Sequence, residues 1–144
     1  MAETQNFENH AKFVPAYHIV AFGIFLINFF WRVYQVIHAP SAETAISLLL
    51  SIGFLLLFFF ARIFALTVQD RVIRLEMRLR MQQLLPADLR ARAGEFSVGQ
   101  LVSLRFASDE ELPELCRKVL EGKIEDRKAI KKMVRNWQPD FLRA

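Results

Sequence analysis

Two long apolar stretches dominate the first half of the chain. Residues 13–31 and 44–61 form runs of 19 and 18 residues without Asp, Glu, Lys or Arg. As helices that rise about 1.5 Å per residue, both match the ~30 Å hydrocarbon core of a bilayer. A barrel cannot close with two segments, so helices are the spanning structure that satisfies the backbone in lipid. The pattern predicts two transmembrane helices, over about 15–37 and 43–66.

The residue types change after the second apolar run. From Gln69 to Leu85 the chain consists mainly of Arg, Leu, Glu, Met and Gln, which are good helix formers, and Pro86 follows. The alternation of polar and apolar residues over 74–81 is also typical of a strand. We favour a helix that continues the second span. Because its apolar residues spread around the helix, we expect it to make contacts on more than one side.

Short helices are predicted beyond Pro86. Ser followed three positions later by Gln or Glu, as in 97–100 and 108–111, is the capping-box pattern of a helix start. Gly122 suits the position just after a helix end. The predicted short helices are 98–106, 109–121 and 124–137.

The charge distribution supports a division of the chain. It has 144 residues, with 19 Lys and Arg against 15 Asp and Glu, but residues 1–68 hold just three of these bases and three of the acids. This split excludes a single soluble core. We predict an all-α fold in three parts: a cytoplasmic N-terminal segment (1–12), a transmembrane hairpin (13–68) and a cytoplasmic helical domain (69–144), in which the second span continues into a cytoplasmic helix and a small bundle of short helices follows.

The positions of Lys and Arg predict the orientation in the membrane. The loop 38–44 has neither residue type, whereas four Arg follow the second span within twenty residues. The positive-inside rule therefore places the loop outside and both termini in the cytoplasm. The first twelve residues lack the basic region of a signal peptide, so the first span is expected to remain as an anchor.

Catalytic and cofactor-binding motifs are missing from the sequence. It has no nucleophile elbow, no P-loop, no zinc-protease motif and no dinucleotide fingerprint, so we expect a protein without enzymatic activity, metal or cofactor. His18, near the cytoplasmic end of the first span, is the one candidate ligand for haem iron or chlorophyll magnesium. Its alternative role is to cap the helix or bind a neighbouring group. The lone Cys116 is expected to be a core residue.

Two sets of residues are candidates for contact with a partner or with lipid. In the second span, three consecutive Phe together with Phe54 and Phe64 cover most of a helix circumference, where they face lipid or a larger subunit. Basic residues occupy the long helix and the last predicted helix. We expect them to face anionic lipid, a protein partner or solvent, and nucleic acid is the least expected ligand. These candidates are Phe58, Phe59, Phe60, Arg74, Arg78, Lys128, Lys131, Lys132 and Arg135.

Several short motifs resemble those of a family of small bacterial two-span membrane proteins of unknown function. The motifs are Asn6-x-x-Asn9-His10, Pro15-x-x-His18, Gln69-Asp70-Arg71, Arg74-Leu75-Glu76, Leu104-Arg105-Phe106-Ala107-Ser108-Asp109-x-Glu111-Leu112-Pro113 and Trp137-x-x-Asp140. The resemblance implies a bacterial inner-membrane protein of the same topology and carries over no activity. Within these motifs, Arg105 and Asp109 are spaced to form an ion pair, and Asn9, His10 and His18 to form a polar cluster near the cytoplasmic interface.

These features lead to one leading hypothesis and two alternatives. We expect a non-catalytic accessory or scaffold subunit of a larger bacterial inner-membrane complex, with a larger integral membrane protein and the bilayer as partners. The first alternative is a membrane-surface regulatory protein that binds anionic lipid. The second is a cofactor-carrying subunit that uses His18.

Overall fold

The computed structural model describes residues 6–9 and 12–140, and this part of the chain is helical, without a β-strand. The helices are α1 (Phe22–His38), α2 (Ala42–Leu84), α3 (Ala87–Ala91), α4 (Val98–Leu104), α5 (Leu112–Glu121) and α6 (Arg127–Met133). A π-helical segment, Ala16–Ala21, precedes α1, and a 3₁₀ turn, Ala93–Glu95, follows α3. The all-α fold class is therefore confirmed for the described residues.

The chain divides into two compact units. The hairpin unit is Phe13–Leu66, and the domain unit contains Thr67–Ala144 together with Met1–Lys12. Two helical segments, Ala16–His38 and Ala42–Leu84, are long and apolar enough to cross a membrane. In the most apolar 18-residue window of the first segment, no residue is buried. In the corresponding window of the second segment, 6% of the residues are buried.

The turn of the hairpin is fixed by reciprocal capping. The backbone N–H of Thr44 donates to Ser41 Oγ at 3.1 Å, and the N–H of Ser41 donates to Thr44 Oγ1 at 2.9 Å. This arrangement satisfies N–H groups that have no partner within the first turn of α2. The chain therefore reverses over a few residues between α1 and α2.

Aromatic side chains hold the hairpin together. The rings of Tyr17 and Phe58 stack with centroids 4.2 Å apart, and Tyr17 Oη donates to the Phe58 carbonyl at 2.6 Å. Phe22 also lies against Phe58, at 5.5 Å. Phe58 thus packs inside the hairpin, although the sequence suggested contact with lipid or a subunit. Phe59 and Phe60 remain on the outer surface, with exposed fractions of 52% and 47%.

The core of the domain unit is built on the C-terminal half of α2. The helix predicted for residues 69–85 is confirmed, since α2 continues to Leu84. Ile73, Met77 and Met81 recur every four residues and are buried on one face. The buried core comprises Ile73, Met77, Met81, Leu85, Leu89, Phe96, Leu101, Val102, Leu104, Phe106, Ala107, Leu112, Leu115, Cys116, Val119, Ile130 and Val134.

The two predicted capping boxes have different outcomes. The box at Ser97 is confirmed: Ser97 Oγ accepts the N–H of Gln100, and the Gln100 side chain accepts the N–H of Ser97. The box at Ser108 is wrong, because α5 begins at Leu112 without a side-chain cap. The Glu111 carboxylate, which would complete the box, instead accepts the backbone N–H groups of Arg135 and Asn136, at 3.2 Å and 3.3 Å.

The last predicted helix is shorter than expected. The Asp126 carboxylate accepts two backbone N–H groups and starts α6 at Arg127, and the helix ends at Met133 instead of near residue 137. Beyond this end, the Glu111 carboxylate accepts the N–H of Arg135 at 3.2 Å. The chain then forms an isolated antiparallel bridge between Trp137 and residue 107. These bonds replace the helical hydrogen bonds that the periodicity predicted.

The end of α5 also differs from the expectation. Gly122 has a helical φ of −79°, and Lys123 is the residue with a positive φ, of 47°. The Ile124 N–H donates to the Val119 carbonyl at 3.1 Å, which is the longer bond of a Schellman ending. A Cβ on Gly122 would lie 2.9 Å from the Lys118 carbonyl oxygen. Gly122 therefore provides space, and Lys123 carries the left-handed conformation.

Candidate functional site

The C-terminal half of α2 has a second apolar face that none of the described residues of the domain unit covers. Val68, Val72, Leu75 and Leu79, here called the α2 stripe, are 61%, 49%, 61% and 54% exposed. At 100° per residue these positions lie on the side of the helix opposite the buried core face. The core face confirms contact on one side of this helix, and contact on the side of the α2 stripe stays a prediction.

Arginines flank the α2 stripe on one side. Arg71, Arg74 and Arg78 are exposed and, with Leu75, line a shallow cavity of about 220 Å³. The predicted contact residues Arg74 and Arg78 are thus neighbours on one surface. This surface combines guanidinium groups, which bind carboxylates and phosphates, with an apolar strip.

A fourth arginine of α2 points to the domain core. Arg80 Nε donates to Asp109 Oδ1 at 2.8 Å, Nη1 to the Arg105 carbonyl at 3.2 Å and Nη2 to the Ala107 carbonyl at 2.5 Å. The Arg80 side chain is 18% exposed. Its planar fork, with donors in fixed directions, is what allows one residue to hold three acceptors of the turn after α4.

Arg105 and Asp109 do not form the ion pair expected from their spacing. Arg105 Nη2 lies 3.3 Å from Asp140 Oδ2, and Asp109 pairs with Arg80 at 2.7 Å. The Arg105 guanidinium also lies over the Phe106 ring, 4.6 Å from its centroid. Both arginines border a cavity of about 190 Å³. Glu76 and Asp140 line the same cavity, so its two arginines are balanced by two carboxylates.

The basic residues near the C-terminus do not form one continuous helical face. Lys131 Nζ lies 5.6 Å from the centroid of Phe106, and Lys132 Nζ lies 5.7 Å from that of Phe7. Lys128 is exposed within α6, whereas Arg135 follows the helix end. Two of the four predicted contact residues are therefore engaged with aromatic rings of the domain unit itself.

The proposed polar cluster is only partly within the described residues. Asn9 belongs to the domain unit, where its Oδ1 accepts the Asn6 N–H at 2.6 Å. His18 belongs to the hairpin unit, within the π-helical segment, and its Nδ1 lies 2.9 Å from the Val14 carbonyl oxygen. Its ring stacks on Phe13, with centroids 4.9 Å apart. His10 lies outside the described residues. A cofactor metal at His18 would therefore bind Nε2, since Nδ1 is engaged locally.

The one cysteine of the chain is a core group. Cys116 is fully buried, and this burial raises the pKa of its thiol from 9.0 to about 12. A neutral thiol is a poor nucleophile and a poor metal ligand. Within residues 6–9 and 12–140, no group of three or more His, Cys, Asp or Glu side chains is arranged to hold a metal ion.

Sequence reasoning missed three residues that organise the domain unit. Arg80 and Glu111 bond to chain segments more than twenty residues away, so no local pattern could reveal them. Gln100 was recognised as a capping residue, but its Nε2 also donates to the Ile124 carbonyl at 2.9 Å. The signal available for Gln100 was its place on the apolar side of α4, where a polar side chain needs a partner.

The chain belongs to a family of unknown function, DUF6526, whose model matches residues 1–144. The resemblance to a family of unknown function is therefore confirmed over the whole chain. No curated protein and no solved structure matches it.

Proposed function

We propose that this member of the DUF6526 family is a non-catalytic accessory subunit of a larger bacterial inner-membrane complex. In this proposal Ala16–His38 and the N-terminal half of α2 form a transmembrane hairpin, and the domain unit lies in the cytoplasm together with both termini. The hairpin packs beside a larger integral membrane protein, and the domain unit docks on the inner face of that protein.

The observation that carries the proposal is the aromatic outer surface of α2. Phe59, Phe60 and Phe64 are 52%, 47% and 63% exposed. In lipid, the hydrophobic effect does not drive helices together, so their association depends on close packing between surfaces of complementary shape. Rigid aromatic rings supply a large contact area at a low cost in side-chain entropy, which suits them to a helix–helix interface with a second protein.

The domain unit supports the same role. Several of its polar side chains serve as helix caps and ion pairs within the fold, and its buried thiol has a raised pKa. Four apolar side chains of the α2 stripe remain exposed beside three arginines. An interaction role needs such a surface, whereas catalysis needs reactive groups that converge in a cleft.

Site-specific photo-crosslinking in intact cells tests the proposal. A photoreactive phenylalanine at position 60 should crosslink to a distinct, larger membrane protein that mass spectrometry identifies. The matched control is position 58, where the ring packs on Tyr17 inside the hairpin, so the adduct should be intramolecular. Lipid adducts alone at positions 59, 60 and 64 would contradict the accessory role.

A second candidate function is binding of anionic lipid by the arginine surface. Arg71, Arg74 and Arg78 line one cavity on the first turns of α2 after the apolar segment, the position at which headgroups would be reached. Each well-placed cation near an anionic membrane contributes about 1 kcal/mol. Native mass spectrometry of the full chain with phosphatidylglycerol tests this. Retention of lipid should drop when all three arginines are replaced by Gln, and unchanged retention would contradict it.

A further inference from the structure

We infer that two copies of this chain associate in parallel through the α2 stripe, forming a short two-stranded coiled coil directly after the second apolar segment. The inference goes beyond the accessory role and assigns the α2 stripe to a second copy, so that docking on the larger protein would use other surfaces of the domain unit. It rests on the proposed membrane insertion for the parallel orientation, because two copies with the same topology bring their α2 helices out of the bilayer in the same direction.

The spacing of the α2 stripe is that of a coiled-coil seam. Val68, Val72, Leu75 and Leu79 are separated by four, three and four residues, which are the steps between successive d and a positions of a heptad. Val72 at a and Leu75 at d match the pattern of parallel two-stranded coiled coils, whereas Val68 at d and Leu79 at a reverse it, so the flanking charges carry the choice of orientation.

The opposite face of α2 is unavailable for such pairing. Ile73, Met77 and Met81 are at most 4% exposed because they form the core of the domain unit. The centres of the two faces are roughly 170° apart on a helical wheel. A partner helix along the α2 stripe would therefore not compete with the domain unit for the same side of α2.

The charges that flank the α2 stripe select a second copy as its occupant. Arg71 precedes Val72 at a g position, and Glu76 follows Leu75 at an e position. In a parallel pair, the g position of one chain lies beside the next e position of the other chain. Arg71 of each copy therefore lies beside Glu76 of the other copy, which gives two equivalent ion pairs. An antiparallel pair would bring Arg71 beside Arg78 instead, which is repulsive. The ion pairs described within one chain use neither Arg71 nor Glu76.

The low cost of association compensates for the short length of the seam. Two heptads rarely hold free peptides together, since such peptides must first become helical. Here α2 is already a helix fixed by its own core, so little ordering remains to be done on association. Anchoring both copies in one membrane further raises their effective concentration.

Thiol cross-linking of the full chain in native membranes tests the inference. The Leu75→Cys variant should give a dimer with a short bis-maleimide, because d positions face each other across the seam. The matched control is Arg74→Cys, one residue away but about 100° around the helix, which should give none. The native Cys116 is fully buried and should not react. Equal yields for both variants, or none for Leu75→Cys, would overturn the inference.

Charge reversal identifies the pair and separates self-association from lipid binding. Arg71→Glu and Glu76→Arg should each lower the dimer yield of the Leu75→Cys variant about tenfold, because each places two like-charge pairs in the interface. The double exchange should restore the yield. Glu76→Arg adds a positive charge, so it would strengthen a contact with anionic lipid but weaken the proposed dimer. Unchanged or increased cross-linking in this variant would therefore overturn the inference. Failure of the double exchange to restore the dimer yield would overturn it as well.

The membrane fraction separates the two proposals. A chain that stays in the membrane after alkaline washing but shows no Leu75→Cys cross-link contradicts the dimer and leaves the accessory role intact. A chain released by the wash contradicts the membrane insertion on which the accessory role depends.

Discussion

Replacement of Arg80 should open the C-terminal part of the domain unit. Arg80→Met keeps an unbranched apolar stem but removes the donors to Asp109 and to the carbonyl groups of Arg105 and Ala107. Ala107 is fully buried, so water cannot easily replace the donor to its carbonyl. A buried acceptor left without a partner costs about 1–3 kcal/mol.

The ion pair adds little to this loss. Asp109 is 56% exposed, so solvent screens its attraction to Arg80, and pairs of this kind contribute below ~1 kcal/mol. The structure therefore predicts a loss of about 2 kcal/mol in the opening free energy of this region, which corresponds to a roughly 30-fold change in an equilibrium constant.

Hydrogen–deuterium exchange of the full chain in detergent measures this change by segment. Protection should fall about 30-fold at the bridge between 106–108 and 136–138 and remain unchanged within 45–60. The control is Arg78→Met, an exposed position on the same helix, which should leave protection at the bridge unchanged. Equal protection in the Arg80→Met variant and in the wild type would refute the role assigned to Arg80.

Three further predictions concern the domain unit. Lys123→Gly should raise the unfolding free energy by about 1 kcal/mol, because Gly adopts a positive φ without the Cβ penalty; a loss of stability would contradict this. Ser97→Ala should cost about 1 kcal/mol in thermal or urea unfolding, and Ser97→Asp should retain most of the cap; equal losses in both would contradict the capping role. The pKa of the Cys116 thiol is raised from 9.0 to about 12, so the unfolded chain loses this proton first and stability falls as the pH rises above 9. Between pH 8 and pH 10 the wild type should lose about 1.4 kcal/mol more than Cys116→Ala, and equal losses would contradict the burial of the thiol.

Local information in the sequence was sufficient for much of the fold. The two uncharged runs and the helix formers after Gln69 predict segments that the structure contains as helices. The Ser97 box depends on residues three positions apart, and it forms as predicted. Such features depend on near neighbours in the chain, so a pattern can reveal them.

The failed predictions share a physical cause. The Ser108 box and the last turns of the third helix were locally reasonable, but the carboxylate of the box instead binds backbone N–H groups of those last turns. Glu111 binds the N–H of Arg135, and Arg80 takes the carboxylate of Asp109 across 29 positions. The expected Arg105–Asp109 pair is replaced for the same reason. Tertiary competition for polar groups is not encoded in any short window.

The α2 stripe shows where sequence and structure had to be combined. The sequence indicated apolar residues on several sides of this helix without saying which side is buried. The structure assigns Ile73 and Met77 to the core and leaves Leu75 exposed. Only with that assignment do the heptad spacing and the flanking charges become an interface with a stated orientation.

Labelling of cysteine variants in sealed, right-side-out membrane vesicles tests the central claim most directly, namely that the hairpin crosses the membrane with its loop outside. Ala39→Cys places a thiol in the exposed loop, and Glu121→Cys places one on the exposed end of α5, while the native Cys116 is buried. A membrane-impermeant maleimide should label the Ala39→Cys variant directly and the Glu121→Cys variant only after the vesicles are opened. Labelling of the Glu121→Cys variant in sealed vesicles, or of neither variant until they are opened, would contradict the account.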